Sequence, residues 1–522
     1  MTDQEKMLQM QTNERLESRR FIVGYPYFIL NNEKILGMTD YRKELSEIAG
    51  YYVAYKKGTI FYPEGTGGDY VPSMIRFKKV KMLIDKEARF MFSQTPDINI
   101  TSEGTDETEQ EKIDIYKKVI AEVAKRSNLS KTLLQAAKDC FVGKRVACLI
   151  DISEDKGVLI HFYTSLEFYY ETEYGSSRLT KFISFENVQR SKSSDDRRFL
   201  VNRYEIRNNT VYMKSDLHDG GGRVIEQLIQ EQPLSITEIP AVVITNDGTL
   251  TDAGGVSEVE SLMDLESGYS RLANSDVDSE RKGMNPVSYV VDMNSNTTAN
   301  LPTGPGSFWE FKSEQNQNEV HPMVGKLSPD MNHTEAVKTT LERMENAMYA
   351  ELDVPNISAD TMAGTITSGK TLEALYYPLS VRCDEKLKTW KPALEQVVRY
   401  VFDLALLNID VIKSVYGISD FTEIPYNVEV VENYALLKDE ESEKTLDMQE
   451  IASDTRSRMS YLEKWRPDLK TKAKREAELM QIAIEKNMFD TMSMNTQVQN
   501  QINRNNTQQQ VEENIEQVEM EA

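Results

Sequence analysis

The chain is short of histidine, cysteine, long apolar runs and positive charge, and each shortage removes a class of function. Four histidines (His161, His218, His321, His333) are scattered, with no second ligand type at metal spacing. Three cysteines, Cys140, Cys148 and Cys383, build neither a disulfide framework nor a zinc site and fit a reducing compartment. No stretch approaches the roughly 18 apolar residues of a membrane span. The first twenty residues are polar and charged, unlike a signal peptide. The net charge is −23, whereas a sequence-reading DNA binder gains affinity by displacing counterions with Lys and Arg. Carboxylates repel phosphate, so such a chain could still meet DNA as a passage that does not grip it, although an acidic balance alone is more often just a solvated surface.

What remains is a folded, polar chain of 522 residues, 39% hydrophobic and 28% charged, long enough for two to four domains. Val71–Gln94 has a helical period, with Ile75, Val80, Leu83, Ile84 and Met91 recurring on one face. Pro96 ends it, and 97–100 reads as a short strand. Residues 103–111 are acidic and read as a loop. Helices follow at 113–126 and 131–141, the second with Ser130 as its N-cap. The period then changes to two over 145–151, 157–162, 166–172, 181–185, 199–206, 210–214 and 223–229. Turns at Arg207-Asn208-Asn209 and Asp219-Gly220-Gly221-Gly222 make these an antiparallel meander.

Helical spacing returns at 257–280, where Leu262, Leu265, Tyr269 and Leu272 form one stripe and the rest is acidic, with Glu258, Glu260, Asp264 and Glu266 in its first half. A strand-and-turn insert follows, with strands expected at 286–293 and 308–312 and a turn cluster at 301–306. A second amphipathic helix covers 334–352. Residues 356–369 (NISADTMAGTITSG) lack an apolar period and read as a Thr/Ser/Gly loop. A long helix, 370–407, contains Pro378 and Pro392, each of which removes a backbone donor and is expected to kink it. A strand at 427–431 and helices over 435–453, 459–465 and 469–487 complete the ordered chain. The Asn/Gln-rich remainder reads as disordered.

Gly364–Thr371 fits the P-loop pattern GxxxxGK[ST]. In a P-loop NTPase, the backbone N–H groups would cradle phosphates, Lys370 would reach the β/γ-phosphates, and Thr371 would hold Mg²⁺. That chemistry needs a buried strand directly before the loop, and 352–360 (LDVPNISAD) is poor in apolar residues and broken by Pro355. The stretch reads better as a small-residue loop entering a helix. No nucleophile elbow or other catalytic arrangement is present. A P-loop NTPase and a helical scaffold are the competing readings.

The order of these parts resembles the portal proteins of long-tailed phages over roughly residues 70–490. The segments that carry it are Thr95–Ile100, Ile239-Pro240 with Gly255–Leu262, Thr367–Leu375, and Thr455–Ile482 with Pro467-Asp468. This chain departs from the family pattern where Gln94 replaces a glycine and Thr371 replaces a common alanine. The resemblance implies an α+β, portal-type multidomain subunit assembling into a twelve-membered ring with a central channel. Its parts would be an N-terminal arm (1–20), a wing (21–254), a stem helix (255–283), a clip (284–330) and a second stem helix (331–355). A tunnel loop (356–369), the long helix with the wing's return strand (370–434), a crown (435–490) and a tail (491–522) would follow. It implies double-stranded DNA in the channel, bound without sequence preference. It also implies docking of the terminase large subunit, a head-completion or adaptor protein, and the major capsid and scaffolding proteins. The ring would be assembled in the host cytoplasm and sit at one capsid vertex, with no cofactor, no enzymatic activity and no membrane. Ser358, Thr361, Thr365, Thr367, Ser368 and Lys370 would face DNA. Glu258, Glu260, Asp264 and Glu266 would make the stem acidic.

Overall fold

The computed structural model describes residues 38–59, 72–102, 107–188, 198–246, 248–252, 254–284, 287–291, 323–327, 334–357, 369–418, 420–434, 440–466, 468–469 and 471–486. The arm 1–20, the strand expected at 308–312, the turn at 301–306, most of the Thr/Ser/Gly loop (358–368) and the tail 491–522 lie outside these residues. Two units are present, one of residues 1–365 and 373–435, the other of 366–372 and 436–522.

The first unit opens with α1 (Met38–Lys57), α2 (Lys79–Phe92), β1 (Asp97–Thr101), α3 (Glu107–Arg126) and α4 (Leu129–Gly143). Strands β2 (Arg145–Ser153), β3 (Gly157–Thr164), β4 (Phe168–Thr172), β5 (Leu179–Asn187), β6 (Arg198–Arg207), β7 (Thr210–Asp219), β8 (Val224–Pro233) and β9 (Ala241–Thr245) follow. They form two sheets, ordered β3-β2-β9 and β4-β5-β6-β7-β8, with every pairing antiparallel. The single meander expected from the sequence is thus divided: its segments from 166–172 onward form the second sheet, while 145–151 and 157–162 belong to the first, paired with β9. The central strand β2 is apolar almost throughout because both its faces are covered. Ala147 and Leu149 pack on Phe168, Phe182 and Tyr204 of the five-stranded sheet. Cys140 of α4 reaches the Ile244 carbonyl next to β2 on the other side. Met38 and Tyr41 close the outer face of the five-stranded sheet over Ile183, Phe185, Phe199 and Val201. The β6–β7 hairpin turns on Asn208 (φ 50°) and Asn209 (φ 61°), the left-handed pair that a two-residue hairpin requires.

Next come α5 (Glu258–Met284), β10 (Val287–Val291), β11 (Met323–Leu327), α6 (Thr334–Glu351), α7 (Gly369–Leu407), α8 (Ile409–Tyr416) and β12 (Asn427–Val431). β10 pairs with β11, and β12 returns to pair with β1. Helices α5 and α6 lie together, with Met344 against the bare face of Gly268. The second unit holds α9 (Glu440–Ala452), α10 (Arg458–Trp465) and a further helix over 472–486. There, Asp447 accepts from Trp465 Nε1 at 2.6 Å and from Lys464 at 3.0 Å.

Four local expectations are corrected. Residues 72–78 are irregular, not helical, because α5 takes their backbone groups. Asp278 accepts from Ser73 N (3.0 Å), and the Asn274 side chain bonds both Ile75 N (2.7 Å) and Ile75 O (2.8 Å). Ser130 is not a cap: Asn128, left-handed at φ 50°, lets α4 start at Leu129. Helix α3 starts at Glu107, within the stretch expected to be loop. β9 and β11 are strands that the periodicity did not mark, each only five residues long.

Candidate functional site

The start of α5, the end of α6 and the fourth and fifth turns of α7 meet around one buried cluster of charge. Glu258 is the first residue of α5. Its Oε1 accepts from Lys386 Nζ (2.6 Å) and Asn246 Nδ2 (3.0 Å), and its Oε2 accepts from Arg382 Nη2 (2.6 Å). Glu87, on the buried face of α2, accepts from Arg382 Nε (3.0 Å) and Lys386 Nζ (2.7 Å). Arg382 Nη1 also donates to the Glu351 carbonyl, the last residue of α6, at 3.3 Å. Lys386 Nζ lies 3.8 Å from the centre of the Phe141 ring. Two carboxylates and two cations thus balance, with Glu87, Glu258 and Lys386 buried and Arg382 reaching the surface.

Burial works against ionising Glu258, but Lys386 and Arg382 outweigh it and bring its pKa down to about 2. Burial dominates at Glu87 and, with the neighbouring Glu258 charge, raises its pKa. Burial also raises the Cys383 thiol, so this cysteine is an inert packing group.

Of the four acidic residues assigned to the stem, the structure takes two out of any channel wall. Glu258 is committed to the cluster just described. Glu266 is fully buried: its Oε2 accepts from Thr59 N (2.8 Å) and from the Thr59 hydroxyl, and its Oε1 accepts from Val80 N (3.1 Å). It caps α2 from a neighbouring helix, where Lys78 supplies no side-chain cap, and its negative charge suits a helix N-terminus. Glu266→Gln puts an amide against three donors and is expected to lower unfolding stability by about 1–2 kcal/mol, read as a reduced urea midpoint. Glu260 and Asp264 remain exposed. Ser358, Thr361, Thr365, Thr367 and Ser368 lie outside the described residues, and Lys370 falls in the first turn of α7.

The periodic reading passed over Glu87, Arg382 and Lys386. A signal was present, because Lys386 sits in the apolar stripe Leu379, Cys383, Leu387, Trp390, and Glu87 in the stripe Leu83, Ile84, Ala88, Met91. A charge inside a buried stripe needs a partner from elsewhere in the fold.

The P-loop reading gains no support. Residues 354–357 are irregular, and no strand pairing among the described residues is parallel. Among the described residues, no group of three His, Cys, Asp or Glu could hold a metal, and no helix is long and apolar enough to cross a membrane.

Comparison with known families gives the class, a phage portal protein, which is a structural component of the virion. The chain belongs to the family described as phage portal protein, SPP1 Gp6-like, whose model matches residues 32–491. Two solved structures are similar at 10% identity. One is the neck of an empty GTA particle computed with C6 symmetry, covering 74% of this chain and 88% of that one at a TM-score of 0.40. The other is the virion of a native gene transfer agent (GTA) particle, covering 66% and 86% at a TM-score of 0.35. No curated protein matches.

Proposed function

We propose that this portal protein is one of twelve subunits of a ring through which double-stranded DNA is packaged into and ejected from the capsid. The observation that carries the reading is the family match across residues 32–491, which spans the helix–strand pair–helix unit, the loop and the long helix in one order. In this reading α5 and α6 are the stem, and the insert bearing β10 and β11 is the clip that docks the terminase large subunit and later the head-completion protein. Residues 356–369 are the tunnel loop, 435–490 the crown, and 21–254 with 370–434 the wing. Capsid and scaffolding proteins surround the ring at one vertex. Glu260 and Asp264 keep carboxylates on the exposed side of α5, which leaves the counterion layer of passing DNA in place. Hydroxyl groups at Ser358, Thr361, Thr365, Thr367 and Ser368 touch phosphates without ion pairing, and Lys370 makes the one charge-assisted contact.

Removing residues 359–367 is expected to leave ring assembly unchanged, by negative-stain microscopy and native mass spectrometry, while reducing DNA packaging by at least about tenfold, a barrier of 1.4 kcal/mol. Packaging at the normal level by the shortened ring would remove the loop from the mechanism.

A further inference from the structure

The second unit holds little core of its own. Among its described residues only Leu462 and Asp447 are buried. Polar bonds join its helices instead. Lys464 of α10 meets Glu443 of α9 at 3.0 Å, and Trp465 Nε1 donates to Asp447 of α9 at 2.6 Å. On its other flank α10 meets the helix over 472–486 (α11). Arg475 of α11 lies 2.9 Å from Glu463, and Glu478 lies 3.5 Å from Arg466. Trp465 and Glu463 are about 200° apart around the helix axis, so the two neighbours stand on nearly opposite sides of α10. The unit is thus a row, α9 then α10 then α11. Residues 453–457 join the first pair and 466–471 the second. Connections this short reverse the chain each time, so α9 and α11 run parallel.

Both ends of the row are bare and apolar. On α11, Arg475 and Glu478 turn toward α10, with Leu479 half-buried beside them. The opposite side carries Ala473, Ala477, Met480 and Ile484, all exposed, Met480 by 69% and Ile484 by 54%. Their spacing of four, three and four is that of a seam which packs on another helix, and it runs about 16 Å. On α9, Glu443 and Asp447 turn toward α10, and Met448, Gln449 and Ala452 are exposed on the other side. Met448 is 55% exposed. The starts of the two helices are opposite in charge: α11 opens with Lys472-Ala473-Lys474-Arg475 and α9 with Glu440-Glu441-Ser442-Glu443. The two faces also match in height. Arg475 meets Glu463 and Glu443 meets Lys464, so 475 and 443 share a level. Because α9 and α11 run parallel, 480 then shares a level with 448, and 484 with 452.

We propose that the outward seam of α11 in one copy packs on the bare side of α9 in the next, Met480 on Met448 and Gln449, and Ile484 on Ala452. The basic start of α11 then lies beside the acidic start of α9, a complementary pairing. The occupant is a second copy because the two bare faces stand at opposite ends of one row, at matching heights and with opposite charge. Repeating the row along its own direction covers both at once. Each unit takes its apolar cover from its neighbours, as the units of a repeat protein do. The contact uses different surfaces on the two partners, so it runs head to tail and closes into a ring. It rests on the ring reading above and names the surfaces that join neighbouring copies in the second unit.

The test is a Gln449→Cys/Met480→Cys double variant of the full chain. The native Cys140, Cys148 and Cys383 are all buried, which leaves the introduced thiols as the reactive pair. Within one chain α10 separates them by two helix spacings, roughly 16–20 Å, beyond the roughly 7 Å between Cα atoms that a disulfide spans. Mild oxidation of the assembled ring is expected to give a ladder of covalent multimers on non-reducing gels, absent from either single variant. The Met480→Cys thiol is expected to react with a maleimide at least tenfold more slowly in the ring than in the monomer. A disulfide closed within one chain, or a thiol already shielded in the monomer, assigns the seam to the chain's own residues and overturns the proposal. A ring that forms normally, gives no ladder and leaves the thiol reactive also overturns this contact, and leaves the ring reading standing. A chain that forms no ring under any assembly condition overturns both.

Discussion

Replacing Lys386 with methionine is expected to cost about 3–5 kcal/mol of folding stability, the usual penalty for breaking a buried ion pair from one side. For a domain whose whole stability is about 5–15 kcal/mol, that places the variant near unfolding at growth temperature. The reason lies in the count of charges rather than in any single bond. Glu87 and Glu258 share Lys386 and Arg382, and one oxygen of Glu87 already has no hydrogen-bond partner. Without the ammonium, Arg382 alone faces two buried carboxylates.

Adding Glu87→Gln to Lys386→Met restores the balance, one carboxylate to one guanidinium, and is expected to recover more than half of the loss in a urea titration. No recovery would mean that the loss came from Lys386 packing on Phe141, not from charge. The single variant also carries a pH signature. A carboxyl whose folded-state pKa lies above its unfolded value costs stability only when ionised, that is, above the unfolded value. Glu87 is already raised, and losing Lys386 raises it further. The gap between wild type and variant is therefore widest at neutral pH and narrows as the pH falls toward 5.

Gly255→Ala is expected to cost on the order of 3 kcal/mol, from left-handed backbone strain added to a steric collision. Gly255 has φ +81°, and a Cβ there would overlap the Lys144 carbonyl oxygen and stand 3.0 Å from that of Asn246. Neither oxygen can withdraw easily. The Lys144 carbonyl accepts from Asn246 N at 2.7 Å, and the Asn246 side chain holds both the Val256 carbonyl and Glu258. The collision therefore reaches the charge cluster through Asn246. Gly268→Ala is the control. Its Cβ would meet Met344 Cε at 3.7 Å, an ordinary contact, and alanine within a helix gains about 0.5–1 kcal/mol over glycine. Opposite shifts in Tm are expected for the two alanine variants. Equal shifts would show that the Gly255 backbone is free to adjust.

Much of the architecture was legible because it rests on local periodicity. The stripe Leu262–Leu272 marked α5, and the Asn208-Asn209 pair marked a hairpin, because these residues act on neighbours a few positions away. The path of residues 72–78 and the charge cluster were not legible, for the opposite reason. Ile75 is kept from helix by Asn274, Val80 is capped by Glu266, and Glu87 is neutralised by residues near 382–386. Each of these partners lies hundreds of positions away, and local period carries no trace of it. The same limit explains the misreading of the acidic helix. Periodicity gave the right charge on α5, but only the packing shows that Glu258 and Glu266 face inward while Glu260 and Asp264 face out.

The bond from Arg382 to the Glu351 carbonyl joins two residues 31 positions apart, and the Thr/Ser/Gly stretch lies wholly between them. The chain on either side of that stretch is thus tied together by a direct bond. Closing such a segment costs only about 0.6 kcal/mol more for each doubling of its length. Changes of length confined to residues 358–368 therefore add little closure cost, whereas Leu352, Val354 and Leu379, which lie between the same two anchors, belong to the core and tolerate no such change.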